Sequence, residues 1–145
     1  MESRYLYRGK RVDTGEWVEG SLVTGVFFRL GQEIPYMFCP NLADYDCFED
    51  FSEENGIFEV DLSTICQCTG LKDKNGKLIF DNDILSGHID VEFPKDETRK
   101  CVVWHKNGWC TNEPGCDYYE GLDDFDSENF EVIGNMIDNP ELLEV

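Results

Sequence analysis

The sequence predicts a mainly β protein with little helix, and three observations support this prediction. Short segments in which apolar and polar residues alternate recur along the 145 residues, as expected of strands with one buried face. Turn signals built from Gly, Asn and Asp separate these segments at short intervals. Hydrophobic residues make up 41% and aromatic residues 13% of the chain, which is enough for a packed core. Such a pattern favours a small barrel or sandwich.

The N-terminal part, residues 1–61, is predicted to form a β-hairpin lobe with an acidic loop. A turn signal at residues 13–15 and another at Gly31 each lie between apolar segments. Pro35 cannot donate a hydrogen bond to a ladder, so its strand is expected at a sheet edge. Residues 40–56 carry apolar side chains at a spacing of three among many acids. This spacing indicates a short helix or a mobile loop.

The C-terminal part, residues 62–145, is predicted to form an SH3-like β-barrel with an acidic loop and a C-terminal turn. Turn signals at residues 73–76 and 106–108 predict hairpins. The acidic residues 111–129 are predicted to be a long loop, and Asn139-Pro140 predicts the start of a last helical turn. An alternative is that both parts form one compact domain.

The central stretch "TGLKDKNGKLIFDNDIL", residues 69–85, is interpreted as structural. Gly70, Asn75, Gly76 and Asn82 are the residues expected to supply its turn geometry, because Gly and Asn tolerate positive φ. Five apolar residues are predicted to contribute to the core: Leu71, Ile79, Phe80, Ile84 and Leu85.

The charge is strongly acidic and unevenly distributed. Twelve Lys and Arg oppose 31 Asp and Glu, which gives a net charge of −19. Residues 30–71 contain nine acids and residues 107–145 contain eleven, and neither segment has a Lys or Arg. Such a charge repels phosphate backbones and anionic lipid, so neither direct nucleic-acid binding nor membrane binding is expected. It favours a basic partner or simple solubility.

The chain carries no signal for export in its first residues and no apolar stretch of about 20 residues that could span a bilayer. We therefore expect a soluble, cytoplasmic protein. Its seven cysteines are expected to be reduced thiols in that compartment.

Cysteine and histidine are the candidates for metal binding or nucleophilic catalysis. Cys66 and Cys68 share one face of a predicted strand, and zinc sites usually need four ligands. Two pairs could complete a set: Cys110 with Cys116, or His88 with His105. Buried thiols also pack as small hydrophobes, and we expect that role.

A catalytic pair of Cys101 or Cys110 with His105 is a second possibility. No recognisable oxyanion hole or orienting group accompanies it, so no catalytic residue is predicted.

Asp124, Asp126 and Glu128 alternate like the ligands of a calcium loop. The glycine and the bidentate glutamate that such a loop requires are both missing. Because the three acids lie in a polar run, we interpret them as solvated charge, and we predict neither a metal site nor a cofactor.

Four stretches carry a resemblance to a known family: "YRGKRVDTGEWVEGSLV", "GLKDKNGKLIFDNDIL", "VVWHKNGW" and "FEVIGNMIDNPELL". In this order they resemble the YopX family of small phage and prophage proteins, over most of the chain except residues 40–56 and 111–129. The family usually has Gly where this chain has Asn82. The resemblance implies a β-rich fold and a mobile-element origin, and it implies no enzyme activity.

These observations lead to three functional hypotheses. The first is a non-enzymatic, phage- or prophage-encoded interaction module that binds an unknown protein in the host cytoplasm. The second is an acidic DNA mimic that inhibits a nucleic-acid-binding protein, because the acids cluster in two segments. The third, least favoured, is a metal-assisted hydrolase.

A homo-oligomer joined through the N-terminal lobe is also predicted. Four aromatic residues lie close together in this lobe: Phe27, Phe28, Tyr36 and Phe38. One small core has little room for all of them, and exposed apolar patches often mark partner surfaces. Residues 1–29 carry five basic and four acidic residues, so association there has a small electrostatic cost.

Overall fold

A computed structural model describes residues 5–40, 56–89 and 96–144 of the chain. Within these ranges the strands are β1 Tyr7–Lys10, β2 Trp17–Arg29, β3 Gln32–Phe38, β4 Ile57–Glu59, β5 Cys66–Lys72, β6 Leu78–Phe80, β7 Asp83–Gly87, β8 Thr98–His105, β9 Gly108–Asn112, β10 Glu120–Gly121 and β11 Phe130–Asn135. Helix α1 spans Asp124–Asn129, and 3-10 turns span Leu62–Thr64 and Pro140–Leu143. The strands pair in antiparallel sheets, so the predicted mainly β class with little helix is confirmed.

The chain divides into two compact units, Met1–Gln67 and Cys68–Val145. The boundary lies inside strand β5. The division predicted from the sequence, 1–61 and 62–145, and the closure of the second part as an SH3-like barrel stay predictions.

The first unit contains a sheet in the order β4-β3-β2-β1-β5. Strand β3 lies between β2 and β4, so the prediction that the strand of Pro35 forms a sheet edge is wrong. The proline is tolerated because on the β4 side it takes part through its carbonyl oxygen, which accepts from the N–H of Val60 at 3.2 Å. On the other side, the register of β2 shifts between Val23 and Phe27. Pro35 therefore lies at an irregularity of the ladder, where a missing N–H leaves no broken pair.

Buried residues in β2, β3 and β4, or directly after β3 and β4, form the core of the first unit: Val18, Met37, Cys39, Phe58 and Val60. Gly20 allows these strands to approach closely, because a Cβ at this position would lie 2.1 Å from the carbonyl oxygen of Phe38.

The second unit contains the β5–β6 hairpin and a five-stranded sheet in the order β10-β9-β8-β7-β11. Its core is formed by Ile79, Leu85, Val102 and Phe130, with Leu71 packed against them. Phe80 and Ile84 are also buried, so the predicted core residues of the central stretch are confirmed.

The turn between β5 and β6 is organised by the buried carboxylate of Asp73. Its Oδ1 accepts hydrogen bonds from the backbone N–H groups of Asn75 and Lys77, both at 2.9 Å. Gly76 has φ +83° and Asn82 has φ +71°, so both adopt the left-handed geometry expected of them. Asn75 contributes hydrogen bonds rather than a positive φ, and its amide donates to Glu131 at 3.1 Å.

Residues 111–129 are not the long loop that the sequence predicts. They contain β10 and helix α1, whose first turn is closed by a capping box between Asp123 and Asp126. Asp126 is 3% exposed and lies 2.5 Å from the ammonium of Lys100, which is itself buried. The interpretation of Asp126 as solvated charge is therefore wrong, because a partner on β8 accommodates its charge.

The last 3-10 turn confirms the predicted C-terminal turn. Asn139 does not cap it through its side chain, and its Oδ1 instead accepts from the backbone N–H of Asn135 at 3.3 Å. The helix or loop predicted for residues 40–56 falls largely outside the described residues.

Gly76→Val should destabilise the protein by about 1–2 kcal/mol, because a β-branched residue is strained at positive φ. No atom lies within 4 Å of the added Cβ, so the loss isolates backbone strain from steric clash. Urea denaturation measures it. Gly108→Val is a matched control, since that glycine also has open space and no positive φ. An unchanged midpoint for Gly76→Val would contradict the turn assignment.

Lys100→Met should destabilise the protein by about 3–5 kcal/mol, because it leaves the carboxylate of Asp126 buried without its counter-charge. The double variant Lys100→Met/Asp126→Asn removes both charges and keeps an oxygen for the helix cap, so it should recover more than half of the loss. A double-mutant cycle by chemical denaturation measures both values. Equal stability of the single and double variants would show that the charge pair is not coupled.

Candidate interaction surface

The β2–β3 hairpin extends beyond the rest of its sheet as a two-stranded arm, residues 24–34. Strand β1 pairs with β2 only through Trp17–Gly20, and β4 pairs with β3 only through Tyr36–Phe38. Within the described residues, the strands of the arm therefore pair only with each other. An isolated two-stranded hairpin is at best marginally stable in water, so the arm depends on additional contacts.

The turn at the tip of the arm combines backbone strain with full exposure. Leu30 has φ +52° and Gly31 has φ +80°, the pattern of a type I′ turn. Asn is the residue that this first position favours, and a left-handed Leu costs about 1–2 kcal/mol. Leu30 is also 101% exposed, the largest value among the large apolar residues described.

One face of the arm is an exposed apolar stripe. Val26, Phe28 and Leu30 alternate along the strand and are 56%, 62% and 101% exposed. Strand alternation places Val26 and Phe28 on one face, leading to Leu30 at the turn. Val26 and Leu30 were not among the residues predicted for a partner surface, although their alternation with Phe28 before Gly31 is visible in the sequence.

Of the four aromatic residues predicted to form an exposed patch, one lies in the stripe. Phe28 is exposed, whereas Phe27, Tyr36 and Phe38 are half-buried. The rings of Phe27 and Tyr36 contact each other with centroids 4.5 Å apart. The contact between Phe27 and Tyr36 stabilises the face of the arm that lies opposite the stripe. The exposed stripe itself is formed by the nearby residues Val26, Phe28 and Leu30.

The charges of the arm are engaged at its sides. Arg29 forms an ion pair of 2.9 Å with Glu59, and the carboxylate of Glu33 accepts a hydrogen bond from the backbone N–H of Gly25. Residues 24–34 carry one basic and one acidic residue, so the arm is neutral in a chain of charge −19.

The second unit exposes aromatic residues at the end of the β8–β9 hairpin. Trp104 and Trp109 are opposite each other in the register and contact edge to face, with centroids 5.1 Å apart. Trp104 is 55% exposed. His105 stacks on Tyr119 at 3.9 Å, with an angle of 11° between the rings.

A cleft of about 520 Å³ lies between the start of β8 and the C-terminal turn. In this cleft the guanidinium of Arg99 donates a hydrogen bond to Glu97 and another to the carbonyl oxygen of Leu142, the latter at 3.1 Å. The bond from Arg99 to Glu97 and one from Ser86 hold the pKa of Glu97 below its usual range. The arginine thus fixes the C-terminal turn to β8, which is a structural role.

The thiols of Cys66 and Cys68 are both buried in strand β5. Cys66 Sγ donates to the carbonyl oxygen of Thr64 at 3.3 Å, and Cys68 Sγ accepts from the N–H of Gly70 at 3.5 Å. These contacts support the packing role expected for them.

The residues that could complete a metal site with Cys66 and Cys68 make other contacts. Cys116 Sγ is 3.9 Å from Glu113, Cys110 Sγ is 3.7 Å from the carbonyl oxygen of Gly108, and His88 is 3.0 Å from that of Asp96. In the parts of the chain that the structure describes, no three His, Cys, Asp or Glu residues form a metal-binding group.

The candidate catalytic pair does not show an activated thiol. Burial raises the pKa of Cys101, and the charge of Asp81 adds to this effect. A nucleophilic cysteine requires the opposite shift. Among the described residues, no hydrogen bond connects His105 with Cys101 or Cys110.

The three acids of the calcium-like pattern do not converge. Asp126 points inward to Lys100, while Asp124 and Glu128 are exposed on the same short helix.

No helix in the described ranges is long and apolar enough to cross a bilayer.

The family model described as YopX protein matches residues 6–144. No curated protein matches the sequence. A similar solved structure is that of protein EF1440 from Enterococcus faecalis, with 22% identity and a TM-score of 0.47, over 95% of this chain and 96% of that chain. Because the family model covers nearly the whole chain, this protein belongs to the YopX family.

Proposed function

We propose that this protein is a non-enzymatic, phage- or prophage-encoded interaction module that binds a protein in the host cytoplasm through its arm. The observation that carries the proposal is Leu30, an apolar residue that is both strained and fully exposed. Local geometry and solvent both disfavour leucine here. A role outside the isolated fold accounts for it, since strain persists where function uses it.

The arm has the features of a hydrophobic contact. Burying an exposed Leu, Phe or Val side chain contributes about 1.5–3 kcal/mol each. Val26, Phe28 and Leu30 together therefore supply enough apolar surface for a small hot spot. The half-buried pair Phe27 and Tyr36 stiffens the opposite face.

Neutral charge widens the range of partners for the arm. Because the arm has no net charge, its burial does not require a basic partner. A second copy of this chain is one such partner, with the acids of both copies outside the contact. The predicted homo-oligomer through the N-terminal lobe stays a proposal on this basis.

Leu30→Asn should change stability and association in opposite directions. Asn tolerates left-handed geometry, so the dilute monomer should gain about 1 kcal/mol in free energy of unfolding. The same change should weaken association, because the apolar tip is lost. Urea denaturation measures the first effect. The partner is detected by expressing, in host cells, a variant chain that carries a photo-crosslinking residue in place of Leu30.

The matched control places the photo-crosslinking residue at Val12, which is 54% exposed and outside the arm. A discrete adduct from position 30 and none from position 12 is the expected result, and an adduct of twice the chain mass identifies a second copy. If Leu30→Asn destabilises the monomer, or if position 30 yields no specific adduct, the arm is not a contact site.

DNA mimicry is the second candidate, and one observation favours it. Eight acidic residues after residue 107 are exposed: Asp117, Glu120, Asp123, Asp124, Glu128, Asp138, Glu141 and Glu144. No Lys or Arg interrupts them. A surface of this sign attracts proteins that bind phosphate backbones.

A mimic should release duplex DNA from a nucleoid-associated protein of the host at near-equimolar amounts, because it occupies the site itself. An electrophoretic mobility shift measures the release. Polyglutamate of the same total charge is the control. Release that matches polyglutamate would show that charge alone acts, without a shaped mimic.

A further inference from the structure

Trp104 offers an open indole face in the second unit. Trp104 is the last residue but one of strand β8. The ring of Trp109, its partner in the ladder, contacts it edge to face, with ring centroids 5.1 Å apart. Trp104 is 55% exposed, so much of its surface remains in solvent. Tryptophan has the strongest cation-binding face of the aromatic side chains.

The aromatic rings elsewhere in this chain show what such a face binds. Arg8 and Lys10 lie over the ring of Trp17, at 4.9 and 5.4 Å from its centroid. Lys100 lies over Phe130 at 4.3 Å. In the described parts of the chain, no Lys or Arg occupies the equivalent position over Trp104.

The residues that follow the hairpin are acidic. Glu120 lies opposite Thr111 in the ladder, and the N–H of Leu122 donates to the carbonyl oxygen of Trp109 at 3.0 Å. Two residues near Leu122, Glu120 and Asp123, therefore lie beside β9. Both are exposed. Residues 107–145 contain eleven acids and no base. Lys106, in the turn between the two tryptophans, is the one base in residues 101–145 and is exposed. The exposed acids beside β9 outnumber it, so this end of the hairpin attracts cations from outside the chain.

We infer that the tryptophan pair, Trp104 with Trp109, is a docking surface for an arginine-rich segment of a partner protein. A guanidinium stacks on Trp104, and the carboxylates of Glu120 and Asp123 attract the remaining positive charge. Arginine suits both roles, because its planar group stacks on aromatic faces and binds carboxylates in a bidentate manner. This surface is distinct from the arm, so the inference does not rest on the arm as a contact site.

A fluorescein-labelled octa-arginine peptide tests the inference in fluorescence anisotropy titrations at moderate salt. The full chain should bind it, and Trp104→Ala should weaken binding about five- to thirtyfold, the range between an exposed and a desolvated cation–π contact. Tyr5→Ala is the matched control: Tyr5 is 60% exposed and lies outside both proposed surfaces, so the variant removes an exposed aromatic ring without changing the charge, and it should alter affinity less than twofold.

Trp104→Phe keeps an aromatic face of weaker potential, so it should bind with intermediate affinity, and its thermal midpoint controls for folding. Raising the salt should weaken binding to the wild-type chain and to Trp104→Ala in parallel, with their ratio retained. Equal losses for Trp104→Ala and Tyr5→Ala, or none for either, would show that net charge alone attracts the peptide. Free arginine binding as tightly as the peptide would overturn the assignment to a polypeptide segment.

Discussion

The carboxylate of Asp73 is the constraint around which the second unit is arranged. Its Oδ2 accepts from the backbone N–H of Val132, 59 positions along the chain, while its Oδ1 holds the turn to which it belongs. The N–H of Lys74 donates to the carbonyl oxygen of Phe130 at 3.0 Å, so the turn and β11 are joined at two points. Phe130 packs in the same core as Ile79. Polar and apolar contacts therefore select the same register.

The pair of Lys100 and Asp126 extends this arrangement to helix α1. A helix of six residues has too few internal hydrogen bonds to be stable alone. Asp126 supplies what is missing, since it closes the capping box and binds the ammonium of Lys100. Lys100 also lies over the ring of Phe130, the first residue of β11. One buried charge pair thus fixes a helix, a central strand and a core aromatic residue.

The two surfaces proposed for binding are places where local preference and structure disagree. Leu30 occupies a left-handed turn position that suits Asn, and Trp104 presents an aromatic ring to water in an acidic neighbourhood. Such disagreements are expected at functional sites, because the isolated fold does not explain them. The surfaces differ in charge, and each lies within its own unit. The arm is neutral and apolar, whereas the strand beside the tryptophan pair carries exposed acids.

The sequence by itself determined the features that depend on neighbouring residues: the alternating strands, the turns at Gly76 and Asn82, and most of the core of the central stretch. Backbone geometry and side-chain alternation are local, so they can be predicted without knowing the fold. Only the tertiary structure decided that the strand of Pro35 is internal, that Asp126 is buried and that Leu30 is exposed. Each of these outcomes depends on a strand or charge distant in the sequence, such as Lys100, 26 positions before Asp126, and no local pattern encodes that encounter.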